Sequence, residues 1–497
     1  FNRVKAVYDQ RASLNLNTED AKLLEETFRS FQEKGANLNS ADKEKYKELT
    51  KELSLLTLQF DQNSLKDQNR FEMLLTDQKE VAGLPESAKE KGKEGWLFTL
   101  DAPSYGAFVK YADSRDLREK MYKAFMSVGN KGDEYDNQEI IRKIVNDRLA
   151  IAKLMGYPNY AAFELSHKMA KNSENVYKLL NQLLDAYKPV AINEYNAVQG
   201  FAIGKEQQNI VVQPWDWSYY SEKLKNIRFN VNDEMTRPYF QLENVKKGVF
   251  GLATQLYGIT FKENKKIPVY NEEVQAYEVY DEDGKFLAVL YTDFFPRSGK
   301  QSGAWMNGIK SQSKDAKGKD NRPHIIIVMN FTRPTESKPA LLTFSEVETL
   351  LHEFGHALHG IMASGTYESL SGTSVYQDFV ELPSQIMENW LTEKEYFNQI
   401  AVHYQTGEKI PEDLVQKLID ASNFNAGYAC CRQLSFGLLD MAWHTLTAPF
   451  EGNVIEFEKK AWKAAQVVPE VPGACMSTSF GHLFAGGYAA GYYGYKW

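Results

Sequence analysis

The chain has 497 residues, 43% of them hydrophobic and 25% charged, and 58 Lys and Arg against 66 Asp and Glu leave a net charge of −8. That length exceeds what one compact core holds and predicts two or three structural units. The acidic balance argues against a nucleic-acid partner, whose phosphates demand a basic face, and with no run of 18 apolar residues there is no membrane span.

Three cysteines, Cys430, Cys431 and Cys475, cannot build a disulfide framework and favour a reduced, cytoplasmic compartment. The chain opens on Phe1 rather than Met, so a periplasmic or exported location is the alternative. Its last residues, Tyr492 to Trp497, stop without a cap or polar tail, and the whole reads as part of a longer protein. The 28 Tyr and 28 Phe suit a tyrosine-lined cavity and ordinary packing equally.

The first half reads as helical. Leu23, Leu24, Phe28 and Phe31 mark one amphipathic segment; after Ser40 as N-cap, Tyr46, Leu49, Leu53, Leu56 and Phe60 form the seam of a longer one. Gly83-Leu84-Pro85 breaks the pattern, residues 89–94 form a charged solvated loop, and a short strand follows at about 96–100. Further helices fit 114–126, 137–155 and 173–199, with the turn Gly156-Tyr157-Pro158-Asn159 between two of them. His167 reads as a surface or packing histidine. Residues 200–214 are the best linker before Trp215-Asp216-Trp217.

From about residue 268 the period becomes that of strands. Ala276–Tyr280 and Lys285–Thr292 flank Asp283-Gly284, a hairpin signal. The apolar run Ile325–Phe331 predicts a buried strand that joins this hairpin and offers its edge to an extended peptide. Thr343 with Glu346 then forms a capping box, and Phe344, Val347, Leu350, Leu351 and Phe354 stripe one face of a helix ending near Gly360.

That helix carries His352-Glu353-Phe354-Gly355-His356. Helical spacing of four stacks both imidazoles on one face, and Glu353 beside them reaches a water held there; this is the HExxH arrangement of a zinc metallopeptidase. A core helix that merely carries histidines would strand the Glu353 charge without a partner. Catalytic zinc takes a third protein ligand, for which Glu368, Asp378, Glu381 and Glu388 are the nearby acids. The apolar flanks of Glu381 turn it inward, where a metal offsets the cost of burying its charge. Asp378 and Glu388 share its side of the helix; they either hydrogen-bond the distal nitrogens of His352 or His356 or form a salt bridge or solvated face.

These residues, with HEFGHALHG followed by 24 residues between His356 and Glu381 and then DFVELPSQIMENW, resemble the thimet oligopeptidase family of zinc peptidases, family M3. GYPNYAAFELSHKMA at 156–170, QPWDWSYY at 213–220, FFPRSGKQSGAWM at 294–306 and FGHLFAGGYAAGYYGYKW at 480–497 extend the likeness over nearly the whole chain. In form they are most similar to the bacterial peptidyl-dipeptidases (dipeptidyl carboxypeptidases), with oligopeptidase A as near neighbour. The resemblance implies one Zn2+ per chain on His352, His356 and Glu381, with Glu353 as general base and proton shuttle. It implies that Tyr488 and Tyr495 polarise the scissile carbonyl and that His482 and Tyr492 position substrate. Gly486 and Gly487, with Gly481, Gly491 and Gly494, supply a mobile backbone that closes these tyrosines over a peptide.

The implied fold is mainly α: two interleaved helical domains flank a deep channel, with a small β-sheet near the HExxH helix. One domain takes residues 1–40 and 226–427; the other takes 41–225 and 428–497 with the Gly/Tyr-rich loop. The substrates expected are short peptides, the protein a monomer, and the reaction release of dipeptides from free C-termini. The alternatives are an endo-acting oligopeptidase of the same family and an inactive peptide-binding protein.

Overall fold

The computed structural model describes residues 1–92 and 94–497, and helices dominate it. No helix among the described residues is long and apolar enough to cross a membrane. The predicted seam helix spans Ser40–Asn69, but Asn39, in extended conformation, is its N-cap and accepts from Asp42 N; Ser40 is already helical. Leu56 and Phe60 bury against Ile140, Ile141, Ile144 and Val145 of the helix Gln138–Leu154. Helix Ser173–Glu206 runs past the predicted end at 199, leaving only a short connection before the helix Pro214–Phe229. A helical glycine costs ~1 kcal/mol, and the fully buried Val198 and Ala202 on either side of Gly200 outweigh it.

Three short strands, β1 (Met73–Leu75), β2 (Glu90–Gly92) and β3 (Gly95–Phe98), form an antiparallel sheet in the order β1-β3-β2. The charged loop predicted over 89–94 is therefore partly a strand, with residue 93 outside the described residues. Charge does not prevent a short edge strand from pairing.

The larger sheet has the order β4-β5-β6-β10-β7. Its strands are β4 (Thr260–Glu263), β5 (Gln275–Tyr280), β6 (Phe286–Asp293), β7 (Trp305–Lys310) and β10 (His324–Val328). Between β7 and β10 lies a small ladder of β8 (Ser313–Lys314) and β9 (Asp320–Asn321). The β5–β6 hairpin turns at Gly284, whose φ of 76° favours glycine. β10 pairs parallel to β6 and antiparallel to β7, so it is interior and has no free edge, contrary to the expectation from its sequence. The edge on this side of the sheet belongs to β7, exposed from Asn307 to Lys310, and the opposite edge to β4. Ile325 and Ile327 join the core under the HExxH helix, while Ile326 and Val328 pack on the other face with Val274 and Tyr291. Burial on both faces explains why β10 reads as an unbroken apolar run.

The HExxH helix spans Phe344–Ile361 with the predicted capping box in place. Val347, Leu350, Leu351, Phe354, Leu358 and Ile361 anchor it in the core, each buried side chain contributing ~1.5–3 kcal/mol. Two further helices complete the surroundings of the site: Gln377–Glu388, and Ala426–His444, which packs along Ser173–Glu206 through Cys431, Leu434 and Leu438.

Candidate metal centre

Gly355 lets the two acid- and histidine-bearing helices touch. A Cβ there would lie 2.5 Å from Pro383 O and 2.6 Å from Ser384 Cα, both backbone atoms of helix Gln377–Glu388. The close crossing brings Glu381 under both histidines. Its Oε2 lies 3.2 Å from His352 Nε2 and 3.2 Å from His356 Nε2. One ligand atom from each of the three residues falls within 4.8 Å of the others.

The donor set fits a zinc-type cation. Zinc–nitrogen and zinc–oxygen bonds of about 2.1 Å in a tetrahedron separate neighbouring ligand atoms by roughly 3.4 Å, close to the spacing found. His352 Nδ1 lies 2.6 Å from Glu388 Oε1. With Nδ1 protonated against that carboxylate, Nε2 faces Glu381, where a second proton or a cation relieves the crowding of electron-rich atoms. The electrostatics agree. Burial disfavours charge on His352, yet Glu381 and Glu388 overcome it and push its pKa up to about 10. Against burial, hydrogen bonds from His352, His356 and Tyr488 hold Glu381 far below the usual carboxylate range.

Glu353 is 4% exposed, and its Oε2 has no hydrogen-bond partner among the described residues. Burial pushes its carboxyl up to about 7, against the pull of His352 and His356. A buried carboxylate poised near neutrality beside a cation site can take and return a proton.

The glycine- and tyrosine-rich end reaches the same place. Tyr488 donates its hydroxyl proton to Glu381 Oε1 at 2.6 Å, and Tyr495 stacks on Tyr488 with ring centroids 5.3 Å apart. His482 packs edge-on to Tyr488, Tyr492 and Tyr495, and burial lowers its pKa. Tyr492 is buried, and its hydroxyl donates to Gln433 Oε1 at 3.0 Å. Gly486 N donates to Gly481 O, and Gly487 O accepts from Gln377 Nε2 at 2.8 Å.

Two expectations need correction. Asp378 is not at the histidines; it accepts Met169 N at 3.0 Å, Ala170 N at 2.9 Å and the Tyr493 hydroxyl at 2.7 Å. Those three donors converge where Asp378 points, one turn before Glu381, so nothing draws it to the imidazoles. Nor is the terminal backbone loose throughout. Ala490 N, Gly491 N and Tyr492 N donate to the buried carboxylate of Asp440 at 2.8, 2.9 and 2.9 Å. Sequence reasoning missed Asp440, although a lone acid inside the apolar stretch Phe436–Trp443 is a signal of internal pairing. Glu368, the remaining acid considered, lies in an exposed 3-10 turn at Glu368–Leu370. His167 pairs with Glu33 at 2.8 Å, outside the site.

A model described as "Peptidase family M3" matches residues 108–497. The dipeptidyl carboxypeptidase of Escherichia coli (strain K12) is 39% identical, over 100% of this chain and 74% of its own length. Oligopeptidase A from the same strain is 38% identical, over 97% of this chain and 73% of its own. Among solved structures, PZ peptidase A with an inhibitor superposes with a TM-score of 0.54 at 15% identity, over 99% of this chain and 73% of that one.

Proposed function

Because this chain belongs to peptidase family M3, we propose that it is a zinc-dependent hydrolase of short peptides that releases dipeptides from free C-termini. The observation that carries the metal assignment is the pair of 3.2 Å approaches of His352 Nε2 and His356 Nε2 to one oxygen of Glu381. These three residues would hold the ion. When bound, zinc supplies Lewis acidity toward water and toward a peptide carbonyl.

The remaining steps belong to the chain itself. Glu353 Oε2, without a hydrogen-bond partner among the described residues and within the field of both histidines, takes the proton of the attacking water and returns it to the leaving amine. Glu388 Oε1 holds the His352 ring through Nδ1. Tyr488 exchanges Glu381 for the developing oxyanion, with Tyr495 stacked behind it, a contribution on the order of 3 kcal/mol per donor. His482 keeps both rings in place, and the backbone around Gly486 and Gly487 lets Tyr488 make that exchange.

The dipeptide mode follows the likeness to dipeptidyl carboxypeptidase, and the nearly equal likeness to oligopeptidase A makes internal cleavage the second reading. Mass spectrometry of the products of a ten-residue peptide separates the two. Loss of successive dipeptides from the C-terminus, abolished by a chelator and restored by zinc, is expected; scattered internal cuts would establish the second reading. Glu353→Gln should keep its zinc and lose ~10²–10⁴-fold in turnover, and near-normal turnover in that variant overturns the assignment of the base.

A further inference from the structure

Helix Ala426–His444 carries Asp440 and His444 one turn apart at its end, and helix Gln138–Leu154 brings Arg148 beside them. Arg148 Nη1 lies 2.9 Å from His444 Nε2, and His444 Nδ1 lies 2.8 Å from Asp440 Oδ1. A guanidinium only donates, so Nε2 must accept; the ring is neutral and gives its one proton, on Nδ1, to Asp440. None of the three side chains is more than 4% exposed. A neutral ring thus joins a buried cation to a buried anion, and removing any member leaves a charge short of its partner.

This Arg–His–Asp chain grips the glycine- and tyrosine-rich segment at two places. Arg148 Nη1 also donates to Leu483 O at 2.7 Å, in the short helix Gly481–Phe484 that carries His482. At the other end Asp440 Oδ1 accepts Ala490 N, and Oδ2 accepts Gly491 N and Tyr492 N. Successive amides closing on one anion form a nest. Ala490 is fully buried there at a φ of 51°, a left-handed conformation that a residue with a Cβ rarely adopts. Between the two grips the backbone is tied to itself: Tyr488 N donates to His482 O at 3.1 Å, and Gly491 N to Tyr488 O at 3.0 Å.

Tyr488, whose hydroxyl reaches Glu381 at 2.6 Å, therefore stands on a short span held at both ends by one relay of three side chains. We propose that Arg148, His444 and Asp440 are positioning residues: from behind the span 483–492 they fix where the Tyr488 hydroxyl meets the developing oxyanion. This rests on the peptidase reading above. Asp440→Asn is the sharpest probe of the relay. It keeps the shape but offers one acceptor oxygen in place of two, so its amide group must face either backbone N–H groups or the Nδ1 proton of His444. Moving that proton to Nε2 would only set it against Arg148.

The test measures kcat and KM separately for one peptide on the zinc-loaded protein. Asp440→Asn should lose about 10–100-fold in kcat with KM little changed, since a misplaced donor is felt in the transition state. His444→Phe, which keeps a ring and loses both bonds, should fall likewise; His444→Asn, which keeps a donor near the place of Nδ1, should recover part of that loss. In a Tyr488→Phe background, where the hydroxyl to be placed is gone, adding Asp440→Asn should cost little more. Losses that multiply in the double variant, or a loss carried by KM, overturn the proposal. Hydrogen exchange needs no turnover: amides 488–492 should exchange about tenfold faster in Asp440→Asn, while those of helix Phe344–Ile361 keep their wild-type rates. Unchanged exchange at 488–492, or a loss of protection throughout the chain, overturns the relay whatever the chain catalyses. A wild type without chelator-sensitive cleavage would instead count against the peptidase reading, and the exchange rates would then decide the relay alone.

Discussion

Glu388 shows how much one side chain at the rim of the centre can govern. It is partly exposed, unlike Glu381, and its 2.6 Å contact with His352 Nδ1 makes it the residue that decides which nitrogen of that ring is free. Glu388→Gln keeps the shape and removes the charge, so zinc affinity should fall ~10–100-fold, read by competition with a chromophoric chelator; an unchanged affinity would mean that the ring is oriented by packing alone. The histidines and Glu353 were legible because helical geometry ties residues four apart. Glu381 was legible only as an acid among apolar neighbours. Its meeting with His352 and His356 depends on the backbone crossing at Gly355, and no spacing rule specifies that. Asp378 was misread for the same reason: its helix position was right, but its partners, Met169 N, Ala170 N and Tyr493, come from distant segments.

At the level of helices and strands, cap and turn chemistry was the dependable guide. The Thr343–Glu346 box and the Asp283-Gly284 turn stand where their residues predicted, and the cap placed at Ser40 falls one residue earlier, at Asn39. What failed was punctuation by glycine inside Ser173–Glu206 and by charge near β2, where tertiary packing or pairing overrode a local signal. The helix Gln138–Leu154 offers a test of such packing. Asp147 Oδ2 is buried without a hydrogen-bond partner among the described residues, on the helix that lies against Ser40–Asn69. Burial, reinforced by Glu52, pushes the Asp147 carboxyl up to about 6. A carboxyl raised above its unfolded value prefers the fold when protonated, so its ionisation is a cost that is fully present above about pH 6 and gone below pH 4. Asp147→Asn should therefore raise the melting temperature at pH 7.5 and leave it unchanged at pH 4. Equal shifts at both pH values would locate the effect elsewhere.

Over the whole chain, buried carboxylates fasten segments that are far apart in sequence. Asp440 secures residues 490–492, Asp67 takes Gly129 N and Lys131, and Asp216 receives Arg115 and Arg118. We propose that the two units expected from the sequence, 1–40 with 226–427 and 41–225 with 428–497, meet along helix Gln377–Glu388. On that division the helix reaches across from Gln377 to Lys168 and Gly487 O, from Asp378 to Met169 N, Ala170 N and Tyr493, from Glu381 to Tyr488 and from Gln385 to Tyr495 O.

On the metal assignment proposed above, Glu381 has two clients, the cation and the phenol of Tyr488. Zinc binding alters the hold of Glu381 on Tyr488 by the same free energy by which that hydrogen bond alters zinc affinity, since thermodynamic coupling is reciprocal. Loading zinc should change the deuterium uptake of amides 486–495, and Tyr488→Phe should shift zinc affinity by the matching factor. Uptake indifferent to the metal would show the carboxylate serving each independently.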